Sequence, residues 1–585
     1  MGPRNLGAHL KEIMDLTQLA PYSKRKFVPQ DAQLTDVQVI KELYLKLLDR
    51  PINSSLDLET WLLDRSELDA ALNQVGSILY INMTCHTDDP QKVSAYTQFI
   101  QSVPPIIKPI NDELNHKYLK LLKRFPLDKN RYEVYNRTTQ VDVDLFVEAN
   151  VPLQTKVDML SQEYQTVCGA MIVNFDGKEQ TLPQMGKYLL ETDRKKREEA
   201  WRATAKRRLA DKDKLENIFD QLFALRCQIA ENAKLKNFIE YQFRNYHRFD
   251  YTSVDCKKYH ETVERLVVPL YGEILKKRQQ EMKVDDLRPW DVAVDPLGRN
   301  PLKPFEKAPE LIEKTQVIFN NLDQNLGEQF KEMRDLGLLD LENRKGKAPG
   351  GYQNTLNEAR KPFIFMNAVG VDDDVRTLLH ESGHAFHALA SAGDSLVDYR
   401  HAPMEFCEVA SMAMELLAGE YLGEFYSQED SNRSNREHLE GIVHILAWVA
   451  NIDSFQHWMY ENPKHTPEER KQKWIELYLR YGGKFLNWQG LDQEISYLWH
   501  RQLHIFEVPF YYIEYGIAQL GALQLWLKAK QDPEKALAGY LNGLSLGGSR
   551  PLPELYQKAG IKFDFSQEII KPLIEQVYQE WKSMN

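Results

Sequence analysis

The sequence is short of the features that mark most specialised protein classes. It holds five cysteines, Cys85, Cys168, Cys227, Cys256 and Cys407, widely spread, odd in number and without a CxxC pair. That argues against a disulfide-stapled scaffold and for a reducing compartment. No run of about 18 apolar residues occurs, so no helical membrane span is expected. Basic charge is not in excess: the net charge is -11, and a nucleic-acid partner, which calls for a basic face, is not expected. The first residues, MGPRNLGAHLKEIMDLTQL, lack an apolar h-region, so no secretory signal is expected. The N-x-S/T sequons at Asn53, Asn82 and Asn136 are therefore read as chance, and the protein is expected to be cytoplasmic. Short repeats and low-complexity tracts are missing too.

What is present is a long, ordinary soluble composition. The 585 residues are 43% hydrophobic and 27% charged, too long for one core, so two or more subdomains are expected. Apolar residues recur at helical spacing in Val37 to Leu48, Lys214 to Ala233 and the C-terminal stretch from Gln567, which has one internal proline. Strand signals are few. One is Met171 to Leu182 with Asp176-Gly177 as a hairpin turn; the other is Pro362 to Asn367, after the Gly/Pro-rich loop Gly346 to Gly351. Residues 1–190 read as a helical N-terminal domain ending in the hairpin, 191–309 as a helical connecting region, and 310–585 as the catalytic domain. Within the connecting region, the Lys/Arg-rich stretch Asp193 to Lys214 is expected to present a solvated helix face, and Asp286 to Pro309 to form a connection.

Chemistry concentrates in His380-Glu381-Ser382-Gly383-His384. On a helix, residues four apart lie about 40° apart around the axis and about 6 Å along it, so both imidazoles face one point. Two neutral imidazoles suit zinc, and Glu381 beside them is placed to move a proton from water to a leaving amine. Asp372-Asp373-Asp374 supplies an N-cap candidate. Gly383 costs helix stability relative to alanine, a cost consistent with close approach of another backbone or of substrate. A zinc peptidase needs a third ligand. Pro403 suits the first turn of a second helix carrying Glu405, Glu408 and Glu415. Glu408 is preferred over Glu405: it sits among Cys407, Val409 and Ala410, where a carboxylate without a cation is costly, whereas Glu405 is explained by the helix dipole. The HExxHxxGxxH pattern fails, because position 387 is histidine and position 390 alanine. His387 shares the face of His380 and reads as a supporting or substrate-facing histidine rather than a ligand. Glu415 orients a ligand histidine or is an exposed helix glutamate; both readings stand.

Downstream, His500 to Trp526 is crowded with polar aromatic tips. Tyr512 and Tyr515 share a helix face, and His504 precedes Pro509. The row reads equally as aromatic core or as donors for an oxyanion.

Together, His380 to His387, Glu408 to Ser411 and Pro509 to Tyr515 resemble the thimet oligopeptidase and oligoendopeptidase F family of zinc metallopeptidases, nearest the oligoendopeptidase F and Pz-peptidase branch. The resemblance covers most of the chain. It implies a mostly α fold, a prolate, neurolysin-like multi-helical body with a deep substrate channel, one wall of it formed by residues 191–309, and a small β element near the active site. It implies one zinc per chain, held by His380, His384 and Glu408, with Glu381 as general base. It implies that Phe363 to Asn367, with Phe365 and Asn367, is the edge strand pairing with an extended peptide, next to Gly350 and Gly351. His504, Tyr512 and Tyr515 match the residues that bind the oxyanion and substrate backbone, with Tyr511 and His387 also facing substrate; Glu507 stands where the thimet branch is often glycine-rich. The implied activity is cleavage of internal bonds in short unstructured peptides. A dipeptidyl carboxypeptidase and an inactive peptide-binding scaffold are the rival readings. Oligomeric state is not legible.

Overall fold

The computed structural model describes residues 15–584; the N-terminal stretch read for a signal peptide begins outside them, in residues 1–14. Helix accounts for 70% of the described residues and strand for 4%, so the helical periodicity carries the fold. Val37–Asp49 shows why: Ile40, Leu43, Tyr44 and Leu47, spaced at three and four, are its buried face. Lys212–Asn232 and Gln567–Ser583 are helices as their spacing predicts, the latter continuing through Pro572. Among the described residues no helix is long and apolar enough to cross a membrane.

The chain divides into two compact units. The first is built from residues 1–144, 302–434 and 521–563, and the second from 145–301, 435–520 and 564–585. Each is assembled from stretches distant in sequence, whereas the sequence pattern suggested three consecutive segments. The change at Pro301/Leu302 falls inside the proline-rich connection.

In the first unit, helices Val37–Asp49, Ser55–Cys85 and Pro90–Arg124 surround a core of Leu47, Trp61, Leu68, Leu114 and Tyr118, joined by Leu396 and Tyr399. The Trp61 indole N–H donates to the Leu47 carbonyl at 2.8 Å, so the largest core side chain is also hydrogen-bonded.

The second unit holds the hairpin β1 (Ile172–Phe175) and β2 (Lys178–Thr181). Its two-residue turn has Asp176 at φ 54° and Gly177 at φ 72°, the backbone an Asp-Gly pair favours. Arg194–Ala210 forms the basic helix. Lys195, Glu199, Arg202 and Lys206 are exposed and its other charges half-buried, but Arg197 is buried, donating to Asp291 at 2.9 Å. That pairing is the reason one basic residue leaves the solvated face.

Returning to the first unit, a three-stranded sheet consists of β3 (Leu339–Glu342), β4 (Tyr352–Leu356) and β5 (Lys361–Ala368) in the order β3-β5-β4. β3 runs parallel to β5 and β4 antiparallel to it. This corrects the expectation for Phe363 to Asn367: that segment is the central strand, with partners on both sides, and β3 and β4 are the edges. The run Pro362 to Met366 is buried throughout, as a strand covered on both faces requires.

Candidate metal centre

Helix Asp372–Ala390 lies on β4 and β5 and packs along helix Met404–Ala418. Its start differs from the N-cap expected of the three aspartates. Val371 is the cap residue, and Asp374, one turn in, reaches back to accept from the amides of Val369, Gly370 and Val371 at 2.8, 2.8 and 3.0 Å. A carboxylate at the third helical position satisfies orphan amides at the positive helix end. Asp372 instead accepts from Tyr426 and Ser434 at 2.5 and 2.8 Å.

The two helices meet at a glycine. A Cβ on Gly383 would stand 2.5 Å from the Ala410 carbonyl oxygen and 2.6 Å from the Ser411 Cα. Of the two roles considered for this glycine, it serves the approach of another backbone. The approach sets Glu408 opposite the two histidines. Nε2 of His380 and of His384 lie 3.4 and 3.7 Å from the same oxygen of Glu408, and the three ligand atoms all fall within 4.8 Å of one another.

Those spacings suit a small dication. Tetrahedral coordination with bonds of about 2.0–2.1 Å places neighbouring ligand atoms roughly 3.4 Å apart. The donor chemistry also fits. Glu415 Oε1 lies 2.7 Å from His380 Nδ1, so this nitrogen carries a proton and Nε2 is the nitrogen turned to the cluster, where an ion would replace its proton. Of the two readings of Glu415, the structure therefore gives the one in contact with His380. Ser411 Oγ donates to Glu408 Oε2 at 2.9 Å; sequence reading assigned it no role, since a serine one turn after a carboxylate is a common helix feature.

Electrostatics point the same way. Burial opposes ionisation of Glu408, but the hydrogen bond to His380 and the proximity of both imidazoles hold its carboxyl down at about 2. Against the cost of burial, Glu408 and Glu415 raise His380 well above the ordinary imidazole range. Two carboxyl groups around one imidazole attract a proton or, in its place, a metal ion. Burial depresses His384 to about 4, leaving it neutral at pH 7. Glu381, buried beside the cluster, is pushed up to about 7 by desolvation, with His380 pulling the other way. A dication at the cluster would lower it again. Glu405 is buried but lies outside the three-residue cluster. His387 is buried against Phe406 at a ring distance of 5.8 Å, and burial depresses it to about 3.

The candidate peptide-binding residues sort differently. Phe365 is fully buried and stacks on Tyr352 at 4.7 Å. The Asn367 amide donates to the carbonyls of Ala348 and Gly350, each at 2.8 Å, so it holds the loop that carries Gly350 and Gly351. Gly350 has φ +95°, open to glycine alone at low cost. Beneath this loop is a residue sequence reading did not single out. The Lys347 ammonium, fully buried, donates to the Asp340 carboxylate and carbonyl at 3.0 Å, to the Glu342 carbonyl at 2.9 Å and to the Met366 carbonyl. It thereby fastens β3, β5 and the loop together.

The late aromatic segment belongs largely to the second unit. There the His504 ring lies 4.6 Å from Tyr512, 5.9 Å from Tyr515 and 6.0 Å from Tyr511. Burial depresses His504 to about 4 and raises Tyr512 to about 12, so at neutral pH the pair is uncharged and Tyr512 keeps its hydroxyl proton. Phe510, just before the tyrosines, adopts φ 66°, a strained backbone for an aromatic residue. The strain is held in place: the Phe510 amide donates to Gln456 at 2.8 Å and its carbonyl accepts from Arg248 at 2.7 Å.

Residues 188–573 match the profile of peptidase family M3. The chain is 25% identical over 304 residues to oligopeptidase PepF of Bacillus subtilis (strain 168), an alignment covering 50% of this chain and 44% of that protein. It is 24% identical over 385 residues to an oligoendopeptidase F homolog of Borreliella burgdorferi, covering 63% and 62% respectively. The matches thus span about half of these relatives' lengths. A solved structure of Pz peptidase A with an inhibitor superposes with a TM-score of 0.86 at 27% identity, over 95% of this chain and 99% of that one.

Proposed function

Since the chain belongs to peptidase family M3, we propose that it is a zinc-dependent oligopeptidase that hydrolyses internal bonds of short, unstructured peptides. The observation that carries this reading is one helix presenting two ligand histidines to a single oxygen of Glu408, with a buried carboxylate, Glu381, between them in sequence. A purely structural ion has no use for that carboxylate.

In this reading His380, His384 and Glu408 hold one zinc ion. When bound, the ion supplies Lewis acidity toward water and a peptide carbonyl. Glu381 takes a proton from the attacking water, keeps it within a buried setting where the neutral carboxyl is stable, and delivers it to the departing nitrogen. Glu415 fixes the His380 ring, and Ser411 fixes the Glu408 carboxylate. An extended peptide adds to the sheet at β4, an edge strand, beside the Gly350-Gly351 loop. Backbone pairing of this kind selects chains without structure of their own, which favours short flexible peptides. The neutral imidazole of His504 and the phenols of Tyr512 and Tyr515 are donors of the kind an oxyanion requires, and in this reading they and Tyr511 serve the substrate.

Peptides of graded length, incubated with the zinc-loaded protein and mapped by mass spectrometry, test the proposal. Internal cleavages that a chelator abolishes and added zinc restores are expected. Products consisting only of C-terminal dipeptides would replace it with an exopeptidase, and no chelator-sensitive turnover on any peptide would leave a peptide-binding scaffold.

A further inference from the structure

The second unit contains another set of metal-donor side chains, remote in sequence from those above. Cys256 and His260 are four residues apart on helix Ser253–Met282, and Asp453 and His457 are four apart on helix Gln428–Glu461. On each helix that spacing aims both side chains at the neighbour. One ligand atom from each of Cys256, Asp453 and His457 lies within 4.8 Å of the others. Cys256 and Asp453 are fully buried, and His457 is 2% exposed.

The hydrogen bonds prepare these groups to donate electron pairs. His457 Nδ1 lies 2.9 Å from the Asp453 carbonyl oxygen. A carbonyl only accepts, so Nδ1 carries a proton and Nε2 is the nitrogen left to face an ion. That Nε2 is buried and has no hydrogen-bond partner. His260 Nε2 lies 2.7 Å from Asp453 Oδ2 and occupies that oxygen, while Asp453 Oδ1 is buried and also without a partner. Two unpartnered polar atoms in one buried cluster are costly, each leaving a full desolvation penalty uncompensated. The rings of Phe510 and Phe243 stand 5.2 and 6.2 Å from His457, and that of His260 5.6 Å.

We infer that Cys256, Asp453 and His457 form a second metal site, which takes a zinc-class divalent cation and ties the two helices together. Thiolate, imidazole and carboxylate form a borderline-soft donor set, which selects zinc over magnesium or calcium. A thiolate, a carboxylate and a neutral imidazole around a dication sum to zero charge, the condition under which such a cluster belongs in an aromatic interior. His260 acts as the outer partner that orients Asp453. The site also braces the strained turn of the late segment, because Phe510 packs on His457 and its amide is held by Gln456, from the same helix.

The two sites differ in one chemical respect: only the second has sulfur. The full-length protein is purified, loaded with zinc, stripped of loosely held metal and analysed by plasma mass spectrometry; in parallel, cobalt replaces zinc. Expected are two zinc ions per wild-type chain, one in Glu408→Ala and one in Cys256→Ser. The cobalt protein should show a thiolate-to-cobalt charge-transfer band in the near ultraviolet, kept in Glu408→Ala and lost in Cys256→Ser. The band in wild type and Glu408→Ala decides the matter even if Cys256→Ser does not fold. A band together with full zinc retention in Glu408→Ala would support this site while removing the peptidase site. A single zinc per wild-type chain with no cobalt–thiolate band overturns the inference and leaves the cluster a buried hydrogen-bond network.

Discussion

A side-chain carbon at Gly383 would come within 2.5 Å of the carbonyl oxygen of Ala410, and the contact between these two residues sets the spacing of the His380, His384 and Glu408 cluster. Gly383→Ala tests it. Alanine improves helix propensity by about 1 kcal/mol, but the obstructing atom is backbone and cannot swing away. Overpacking of this kind costs about 1–3 kcal/mol, so the clash wins. The variant is expected to melt lower and to lose metal more readily to a chelator; a higher melting temperature with undiminished metal affinity would show that the helices have room to spare.

The His380–Glu415 contact at 2.7 Å predicts a second effect. Glu415→Gln keeps the shape and removes the charge that favours the protonated Nδ1. Losing an outer partner of this type costs about 10- to 100-fold in metal affinity. Competition with a chelator of known strength reads the change directly, and an unaltered affinity would make Glu415 a bystander.

In the metal-free protein, stability should depend on pH through Glu381. Its folded-state carboxyl is pushed up to about 7, above its value in the unfolded chain, so the folded state holds the proton more tightly. The buried carboxyl therefore weakens the fold progressively as pH rises through the range from about 4.5 to about 7. Glu381→Gln removes this penalty. Its melting temperature relative to wild type, both metal-free, should climb between about pH 5 and about pH 8. A difference that stays flat across that range would place the carboxyl in a less confined setting. Glu408, held at about 2, has the opposite sign: its contribution is intact at neutral pH and disappears only in strong acid.

Lys347 supplies a prediction about substrate. Its ammonium bonds Asp340, Glu342 and Met366 at once, and removing one partner of a buried ion pair costs about 3–5 kcal/mol. Lys347→Met should lower the melting temperature and loosen the loop that positions Gly350, Gly351 and the β4 edge. A rise in KM larger than the fall in kcat is expected; unchanged KM would mean the edge strand is positioned without it.

What the sequence made legible was whatever is encoded locally. The HExxH spacing, the apolar setting of Glu408, the Asp-Gly turn and the helical periodicity each depend on neighbours within a turn or two, and each has its counterpart in the structure. What escaped depends on partners distant in the chain. β5 was taken for an edge because its parallel partner, β3, starts more than twenty residues upstream and is a four-residue segment with no strand signature. Asp374 rather than a leading aspartate caps its helix because the chain enters through Gly370 at φ +92°, a turn that carries three amides to one carboxylate. Lys347 and the Cys256, Asp453 and His457 cluster acquire meaning only when folding brings their partners together.

The central claim is that Glu381 moves the proton at a centre whose metal is held by other residues. Glu381→Gln, measured for zinc content and peptide turnover on the same preparation, separates the two roles. Zinc content equal to wild type and kcat reduced by about 10²- to 10⁴-fold, the usual worth of a general base, is the predicted result. Turnover at the wild-type rate with zinc in place would contradict the account.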